Sequence, residues 1–589
     1  MSAAGILPFL LALGNQSAEI ASDPEAFNSF SAGYMYGDPT ASYPDTSDFR
    51  NEYDFIIVGA GSGGCVMANR LSENPNWNVL LLEAGVEENF LLSVPLLVTL
   101  NVQSDYNWKD VFEPTPSACS ASPGGVCFVW RGRGLGGSSL LNYMIYTRAH
   151  YRDFDQWAKE GSHGWNYSDV KPYFEKAEKS YVRPSLQCFE TPFNSDFRDT
   201  VTAAGYKEIT FTNKSLLGYY KFRTTTVRGQ RNSAARMYLH PVRKRPNLHI
   251  SVRSQVTKVL IDPEKQRAFG VEFVKEGKTV QVRAKKEVIV SAGAIGSPQI
   301  LLLSGLGPPE DLSKFKIPVI KSLPVGNNLH DHYSAQLPFQ LDAKLPRISI
   351  DEALETYIKQ QSGIFAQPSG SESLAFLKTN NSKLPRDYPD YEVLLFGAQL
   401  KGELLQLQGL DPALNRLPLS NENQTFFGLA FVYLHPKSRG HVRLKSRNPL
   451  ERPKIVSNYF SHPDDVVNVR ESLKEAIRLG QSGALAKLGS KLVKDFAPGC
   501  EQYSNDSDEF WDCYIKRYIL TGIHYGGTCK MGPDGDPAAV VNPELQVQGI
   551  DKLRVVDASV IPAPIAGHPN GAILMIGEKA ADMVKKRWA

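Results

Sequence analysis

The sequence predicts a mixed α/β fold that begins with a parallel sheet, and four consecutive segments support this prediction. Tyr53–Val58 is an apolar run of strand length, Gly59–Gly64 is rich in glycine, and Cys65–Leu71 has helical character. A second apolar run, Trp77–Leu82, ends at Glu83. A strand, a glycine-rich turn, a helix and a strand within roughly 30 residues have the size of a βαβ unit. Such apolar runs suit parallel strands that are buried on both faces.

The chain length indicates more than one hydrophobic core. A chain of 589 residues exceeds what a single core usually holds, so two subdomains or one elaborated domain are expected. The hydrophobic fraction of 42% and the charged fraction of 22% are typical of a globular protein. Because 65 Lys and Arg residues nearly balance 62 Asp and Glu residues, charge gives no indication of a nucleic acid or an anionic membrane as partner. No apolar stretch approaches the roughly 18 residues of a membrane-spanning helix.

Three features favour a secreted protein. Residues 1–22 resemble a signal peptide, because an apolar run is followed by the small residues of a cleavage zone, although an apolar tail is the alternative. Cys119 with Cys127 and Cys500 with Cys513 are candidate disulfide pairs, and disulfides persist in oxidising compartments. Asn-x-Ser/Thr sequons, which accept glycans, start at Asn15, Asn166, Asn213, Asn380, Asn423 and Asn505.

The rest of the chain is patterned unevenly. Val288–Ser291 and Leu553–Val556 have the character of buried strands, and Ile300–Leu303 that of an apolar helix. Ala572–Lys586 predicts an amphipathic C-terminal helix with basic residues in its last turn. Residues 341–423 have weaker patterning and many polar and proline interruptions, as in a segment that covers a pocket.

The glycine-rich turn predicts a dinucleotide site. Gly59 permits the tight turn out of the strand, Gly61 lets the backbone approach a pyrophosphate, and Gly64 lets the helix and the strand pack closely. The helix N-terminus adds unpaired N–H groups and the positive end of the helix dipole. Glu83 lies 19 residues beyond Gly64, where an acidic residue accepts hydrogen bonds from a ribose diol. A turn without a ligand is the alternative, and this pattern does not distinguish FAD from NAD.

Motifs along nearly the whole chain, from about Tyr53 to Lys586, resemble one family. Two of them are similar to the signatures of the glucose–methanol–choline (GMC) oxidoreductases: Arg131–Ser139 with Asn142, and Ser291–Ile300 with Ser304–Pro308. Further blocks that match in order and spacing are Tyr151–Trp157, Gly164–Tyr167, Pro172–Phe174, Val325–His332, His524–Gly532, Arg554–Ser559 and His568–Gly571. Within the family, the chain resembles the arthropod glucose dehydrogenase-like group.

The resemblance implies a Rossmann-like FAD domain assembled from separate parts of the chain, and a substrate domain built on an antiparallel sheet. We expect residues 53–335 and 525–589 to form mainly the FAD-binding domain, with substrate-domain insertions around 151–230. Residues 336–524 are expected to form mainly the substrate-binding domain. Some relatives tether FAD through a histidine at the position of Leu141; because leucine cannot form that bond, we expect non-covalent FAD.

The resemblance also assigns residues to the cofactor. Val256 would contact the adenine through its backbone, and Asn142 and Met144 would lie along the flavin. Asp557 and Ala558 would offer backbone contacts near the flavin and the pyrophosphate. Together with the glycine-rich turn, the expected cofactor-binding residues are Gly59, Gly61, Gly64, Glu83, Asn142, Met144, Val256, Asp557 and Ala558. No Cys-x-x-Cys pair is present, so no metal site is expected.

The chemistry that the resemblance implies is hydride transfer from an alcohol carbon to flavin N5. The alcohol proton must also be removed, and a histidine, whose pKa is near neutral, suits this task. The resemblance gives this role to His524. Alignment of the C-terminal pattern gives the companion role to Asn570, which would hydrogen-bond the substrate oxygen, and His568 is the competing candidate. For His332 we expect a structural role.

The substrate and the electron acceptor stay open at this stage. The leading expectation is a secreted alcohol oxidase that uses oxygen, and the alternatives are a quinone- or dye-linked dehydrogenase of sugar or steroid alcohols and an FAD-containing hydroxynitrile lyase. A flavin-binding protein without catalysis is disfavoured because the His/Asn pair is intact. Asp351, Glu352 and Glu355 have the pattern of a solvated helical face, not of a catalytic carboxylate set.

Overall fold

The computed structural model describes residues 35, 42–186, 189–344, 350–397, 425–493, 496–504 and 507–589. The predicted signal peptide at 1–22 lies outside these residues, as do the sequons at Asn15, Asn423 and Asn505. Within the described part of the chain, no helix combines the length and the apolar character needed to cross a bilayer.

A seven-stranded sheet forms the first layer. Its strands are β1 (Glu52–Val58), β2 (Val79–Leu82), β12 (Leu248–Ser251), β13 (Ser254–Asp262), β14 (Arg267–Lys275), β15 (Lys278–Val290) and β24 (Leu553–Val555). The spatial order is β12-β2-β1-β15-β14-β13, and β24 pairs with β15. Strands β12, β2, β1, β15 and β24 pair in parallel, whereas β13, β14 and the first half of β15 are antiparallel. The predicted βαβ unit is therefore confirmed, and so are the strands predicted near 288–291 and 553–556.

One helix packs on β1 and β2, and a second helix packs on the first. Helix α1 (Ser62–Leu71) is buried along its whole length, and α13 (Asn570–Trp588) lies against it. The helices approach closely because Gly577 has no side chain: a Cβ there would lie 2.8 Å from Cβ of Val66. Buried Arg70 joins the two helices through paired 2.8 Å hydrogen bonds to Glu578.

A second, eight-stranded sheet is assembled from distant parts of the chain. Its strands are β7 (Lys207–Ile209), β8 (Gly218–Tyr220), β16 (Tyr333–Leu341), β17 (Ser371–Leu377), β18 (Tyr391–Phe396), β19 (Thr425–Tyr433), β22 (Lys491–Leu492) and β23 (Leu520–Thr521). The order is β22-β16-β19-β18-β17-β8-β7, and β23 pairs with β16. All described pairs are antiparallel except β7 with β8. This sheet has the antiparallel character that was expected, while the domain boundaries stay a prediction.

The other described elements are short strands and connecting helices. The small sheets are β3 (Asp110–Val111) with β4 (Phe128–Val129); β10 (Thr226–Val227) with β11 (Gln230–Arg231); β20 (His441–Arg443) with β21 (Lys454–Val456); and β5 (Ile145–Tyr146), β6 (Ser185–Leu186) and β9 (Arg223–Thr224). The helices are α2 (Phe90–Ser93), α3 (Val98–Asn101), α4 (Tyr151–Lys159), α5 (Tyr167–Ala177), α6 (Phe193–Ala203), α7 (Gly293–Leu303), α8 (Pro309–Ser313), α9 (Ile350–Gln360), α10 (Pro463–Gly480), α11 (Gly483–Lys487) and α12 (Asp508–Tyr518).

The disulfides and two of the helices can be compared with the predictions from the sequence. Both candidate disulfides are formed, Cys119 with Cys127 and Cys500 with Cys513. The solvated face predicted on α9 is confirmed for Glu352 and Glu355, while the side chain of Asp351 lies outside the described residues. The C-terminal helix is confirmed with a basic last turn, and it begins two residues before the predicted start.

Candidate active site

The carboxyl ends of the parallel strands open into one cavity. Gly59 leaves β1, Glu83 leaves β2 and Ser291 leaves β15 at this edge. In open α/β sheets, ligands bind outside the carboxyl ends of the strands. Eight of the nine predicted cofactor residues line the cavity, namely Gly59, Gly61, Glu83, Asn142, Met144, Val256, Asp557 and Ala558.

The three motif glycines have different neighbours. Gly59 adopts φ +96°, and a Cβ there would lie 2.6 Å from the carbonyl oxygen of Ser291. A Cβ at Gly64 would lie 1.9 Å from the carbonyl oxygen of Gly59, so this glycine allows the helix to pack on the turn. At Gly61 the nearest atom would be 3.8 Å away, which leaves open space beside the N-terminus of α1. This open cradle fits the phosphate of a dinucleotide.

Glu83 is a buried carboxylate held by the backbone. Its Oε2 accepts from the N–H of Ala60 at 2.9 Å, and its Oε1 accepts from the N–H of Gly85 at 2.8 Å. Burial raises its pKa. Because a carboxylate offers about four lone-pair sites, acceptor capacity remains for the hydroxyls of a ribose.

The carboxylate of Asp557 is occupied within the protein. Its Oδ2 accepts from the N–H of Gly293 at 2.9 Å and from Oγ of Ser297 at 2.5 Å, so it caps the start of α7. Its Oδ1 accepts from the N–H of Ser559 at 2.8 Å. Asp557 and Ala558 both line the cavity.

The loop 137–144 forms another wall of the cavity. A Cβ at Gly137 would lie 2.6 Å from Cα of Gly61, so the two glycine-rich turns touch. Oδ1 of Asn142 accepts from the N–H of Met144 at 3.2 Å. Met144 has φ +57°, a left-handed conformation that costs a non-glycine residue about 1–3 kcal/mol. Leu141 lines the same cavity with its apolar side chain.

Three histidines meet at the other end of the cavity. The ring of His524 lies 5.0 Å from that of His568 and 5.0 Å from that of His332, edge to face in both cases. Nδ1 of His524 is 2.8 Å from Nδ1 of His332, so the two rings share a hydrogen bond. His332, for which a structural role was expected, therefore contacts the candidate base His524 directly.

The ring of His332 has a second partner besides His524. The backbone carbonyl of Ile565 accepts from the imidazole of His332. A neutral imidazole has one donor and one acceptor nitrogen, so the tautomers of the two rings decide which Nδ1 donates in the bond between His332 and His524. Where Nδ1 of His524 donates, its Nε2 keeps a free lone pair.

The surroundings keep His524 neutral. Burial lowers the pKa of His524 well below its usual range, and the neighbouring imidazoles of His332 and His568 act in the same direction. A neutral imidazole accepts a proton, whereas an imidazolium does not, so these neighbours maintain the form that a general base requires.

A buried carboxylate, which the sequence analysis missed, holds the backbone of this cluster. Oδ1 of Asp331 accepts from the N–H of His524 at 2.7 Å and from the N–H of His332 at 2.8 Å. Its Oδ2 accepts from the hydroxyls of Tyr459 and Thr521. Burial raises the pKa of Asp331 to about 6. Its position one residue before His332 was the available signal.

The residue before His524 is strained. Ile523 adopts φ +63°, which is an outlier for a β-branched residue. Its N–H donates to Oγ1 of Thr521 at 2.9 Å, which helps to hold the turn. Strained backbone of this kind persists only where the surrounding structure overdetermines it.

The structure separates the two candidates for the companion of His524. Oδ1 of Asn570 accepts from Oγ of Ser62 at 2.6 Å, which places this side chain at the start of α1. His568 packs on His524, and its N–H donates to Oγ1 of Thr147 at 3.0 Å. His568 therefore lies beside His524, whereas Asn570 lies at the start of α1, and both residues line the cavity.

A buried carboxylate also faces His568. Nε2 of His568 lies 3.1 Å from Oε1 of Glu392, whose side chain has no exposure. The two atoms are not aligned for a hydrogen bond. Glu392 shares one face of β18 with Leu394 and Phe396, because side chains alternate along a strand.

That sheet face forms the wall opposite the cofactor residues. Strands β16, β18 and β19 lie side by side in it, with Leu394 and Gln336 both paired with Ala430. Four of the six side chains that the three strands contribute to the cavity are apolar, namely Leu394, Phe396, Ala430 and Val432, and the other two are Ser334 and Gln336. Among the residues that the structure describes, no cluster of His, Cys, Asp and Glu side chains is arranged to hold a metal ion.

Comparison with known proteins places this architecture in a family. Residues 53–334 and 436–577 match the N- and C-terminal profiles of the GMC oxidoreductases. Glucose dehydrogenase (FAD, quinone) of Drosophila melanogaster is 37% identical over 92% of this chain and 89% of its own length. Mitochondrial choline dehydrogenase of Mus musculus is 34% identical over 93% and 92%, respectively.

A solved structure agrees with these relatives. A formate oxidase of Aspergillus oryzae superposes with a TM-score of 0.80 at 25% identity, covering 92% of this chain and 99% of its own. The shared profiles span both the glycine-rich turn and the His524 loop. The chain therefore belongs to the GMC oxidoreductase family, whose members are FAD-dependent enzymes that act on alcohols.

Proposed function

We propose that this protein oxidises an alcohol to the carbonyl compound, with His524 accepting the hydroxyl proton. The observation that carries the proposal is a buried His524, held neutral and hydrogen-bonded to His332, in the cavity that also contains the expected FAD residues. FAD, when bound, supplies the hydride acceptor. The protein itself orients the alcohol, excludes water and takes the proton.

His568 is the residue that we propose to hydrogen-bond the alcohol oxygen beside His524. Its ring contacts the ring of His524, and its backbone is held on both sides by Thr147, which donates to its carbonyl oxygen at 3.2 Å. The loop is held further by Asp153, whose carboxylate accepts from the N–H of Ala566 at 3.1 Å. Asn570 is proposed to act on the cofactor side through its contact with Ser62.

FAD is proposed to be held without a covalent bond. The cradle at Gly61, the free lone pairs of Glu83 and the backbone at Asp557 suit its phosphates and ribose. The side chain at the expected tethering position is Leu141, which carries no nucleophile. Denaturation followed by filtration should release all yellow colour from the protein, and retained flavin would contradict this assignment.

The eight-stranded sheet is proposed to supply the substrate face. Its wall of Leu394, Phe396, Ala430 and Val432 favours an alcohol with a substantial apolar body, such as an aromatic or steroid alcohol, over a free sugar. On this proposal, residues 336–524 form mainly the substrate-binding part.

A quinone is the proposed electron acceptor. The Drosophila relative is named for FAD and quinone, which supports a quinone-linked dehydrogenase over the oxygen-using oxidase expected first. The dehydrogenase and the oxidase would share the proton transfer to His524, so the electron acceptor has to be measured separately.

Secretion is also proposed. The two disulfides support an oxidising compartment. The sequon residues Asn213 and Asn380 are exposed and suit glycosylation, whereas Nδ2 of Asn166 donates to Asp169 in a helix cap.

Anaerobic mixing tests the function. The purified yellow protein is combined with a panel of aromatic alcohols, ecdysteroids, sugars and cyanohydrins while flavin absorbance is followed. Bleaching by an alcohol class supports the proposal, and no bleaching by any of them favours a hydroxynitrile lyase. Rapid recolouring in air with peroxide identifies an oxidase, whereas recolouring only after a quinone is added identifies a dehydrogenase.

A further inference from the structure

A fully buried arginine lies behind the loop that lines the cavity. Arg231, on β11, has no solvent exposure. Its Nε donates to the carbonyl oxygen of Leu92 at 2.9 Å, and its Nη1 donates to the carbonyl oxygens of Ser139 at 2.9 Å and Asn142 at 2.7 Å. One guanidinium thus joins the chain at Leu92 to both ends of the segment 139–142.

Arg231 also orients the side chain of Asn142. Oδ1 of Asn142 accepts from Nη1 of Arg231 at 2.9 Å and from the N–H of Met144 at 3.2 Å. Both neighbours are donors, so the amide oxygen must face them and cannot exchange places with the nitrogen. The Nδ2 group is therefore the end of the side chain left for the cavity that Asn142 lines.

The guanidinium is charged at neutral pH. Burial lowers its pKa to about 9, and the nearby carboxylate of Glu88 acts in the opposite direction. Nη2 has no hydrogen-bond partner among the described residues. A buried cation that is only partly compensated exerts its field over several ångströms, because the surrounding dielectric is low.

We infer that Arg231 is a positioning residue for the flavin: it fixes Asn142 as a hydrogen-bond donor towards the cavity and favours the reduced form of bound FAD. Reduction adds negative charge to the ring system, so a fixed donor and a nearby cation stabilise the reduced form more than the oxidised form. The inference rests on the FAD site of the proposed function, but not on the identity of the alcohol.

The experiment compares Arg231→Met, which removes charge and hydrogen bonds, with Arg231→Lys, which keeps the charge but cannot reproduce the forked contacts. FAD retention is measured by equilibrium dialysis, and the midpoint potential by equilibration with redox dyes, without substrate. For Arg231→Met we expect FAD affinity to fall on the order of tenfold to hundredfold and the potential to become more negative. Arg231→Lys should lose affinity but keep a potential closer to that of the unaltered protein.

Arg245→Met serves as the matched control, because Nη1 of Arg245 donates to the backbone carbonyl of Asn69 away from this loop. The control should change neither the FAD affinity nor the midpoint potential.

If Arg231→Met does not fold, Arg231→Lys provides the test: unchanged FAD affinity in that variant overturns the positioning role. If both variants bind FAD at an unchanged potential, the inference is wrong, even if the protein oxidises an alcohol. If no alcohol bleaches the flavin, the potentials are still measurable, so the two failures are distinguishable.

Discussion

The two faces of the cavity are built in different ways. The cofactor face consists of glycines, backbone groups and capped carboxylates that follow strand ends, and its first elements lie within one continuous βαβ unit. The histidine face is assembled over long sequence distances: His332 and His524 share a hydrogen bond across 192 positions. The first face depends on local backbone geometry, and the second depends on tertiary packing. Substitutions on the cofactor face should therefore weaken FAD binding, whereas substitutions on the histidine face should slow flavin reduction.

The largest effect is expected from the motif glycines. Gly64→Ala should abolish FAD binding and lower stability, because its Cβ would lie 1.9 Å from the carbonyl oxygen of Gly59. Gly61→Ala should fold normally, because its Cβ has 3.8 Å of clearance, yet lose FAD affinity by roughly tenfold or more as the methyl group enters the phosphate cradle. Thermal unfolding of the apoprotein and FAD titration measure the two properties. A Gly61→Ala protein with full FAD affinity would contradict the cradle assignment.

The second largest effect is expected from substitution of His524, which should leave the cofactor face intact. His524→Ala should slow anaerobic flavin reduction by roughly a hundredfold or more, the usual scale for losing a general base. FAD content should stay unchanged, because His524 lies at the opposite end of the cavity from the glycine-rich turn. Stopped-flow absorbance in the flavin band measures the rate. Unchanged reduction kinetics would show that another group takes the proton.

A smaller effect is expected at Asp331, which bonds the backbone of His524 and His332 and not their imidazole rings. Asp331→Ala leaves the N–H groups of His524 and His332 without their acceptor, at a cost of about 1–3 kcal/mol for each buried group. Asp331→Asn should restore most of the loss, because the amide oxygen still accepts from both N–H groups and the hydroxyls of Tyr459 and Thr521 can rotate. Flavin reduction should fall about tenfold in the first variant. Equal rates in the two variants would indicate that the carboxylate charge is what matters.

The difference between the cofactor face and the histidine face explains which residues could be predicted from the sequence. The turn at Gly59, the acidic residue Glu83 and the strand near Leu553 were predictable because their spacing reflects backbone geometry. The expected backbone contact at Asp557 needed the family resemblance, and the structure adds that its carboxylate caps α7. Eight of the nine predicted cofactor residues line the cavity, and the ninth, Gly64, packs beneath it.

The histidine face was predictable only in part. His524 and Asn570 stay predictions from the family motif: the register that favoured Asn570 over His568 carries no information about side-chain direction. Asp331 escaped notice because its partners are backbone N–H groups, one of them 193 positions away. Arg231 lies in a two-residue strand without a recognisable pattern. Contacts of this kind appear only when distant segments are packed together.

The smallest effect sharpens the assignment of His568. Burial is the main cause of the low pKa of His524, and the imidazoles of His332 and His568 lower it further. Because His568→Asn removes one of these contributions, it should raise the pKa of His524 and move the acidic limb of flavin reduction towards higher pH. In the unaltered protein this limb should lie below the ordinary histidine value of about 6.5. Asp331, with a pKa of about 6, is common to both proteins, so its contribution cancels in the comparison. Rates measured anaerobically between about pH 5 and 8, with His441→Asn as the remote control, test this, and an unmoved limb would mean that His568 does not act on the base.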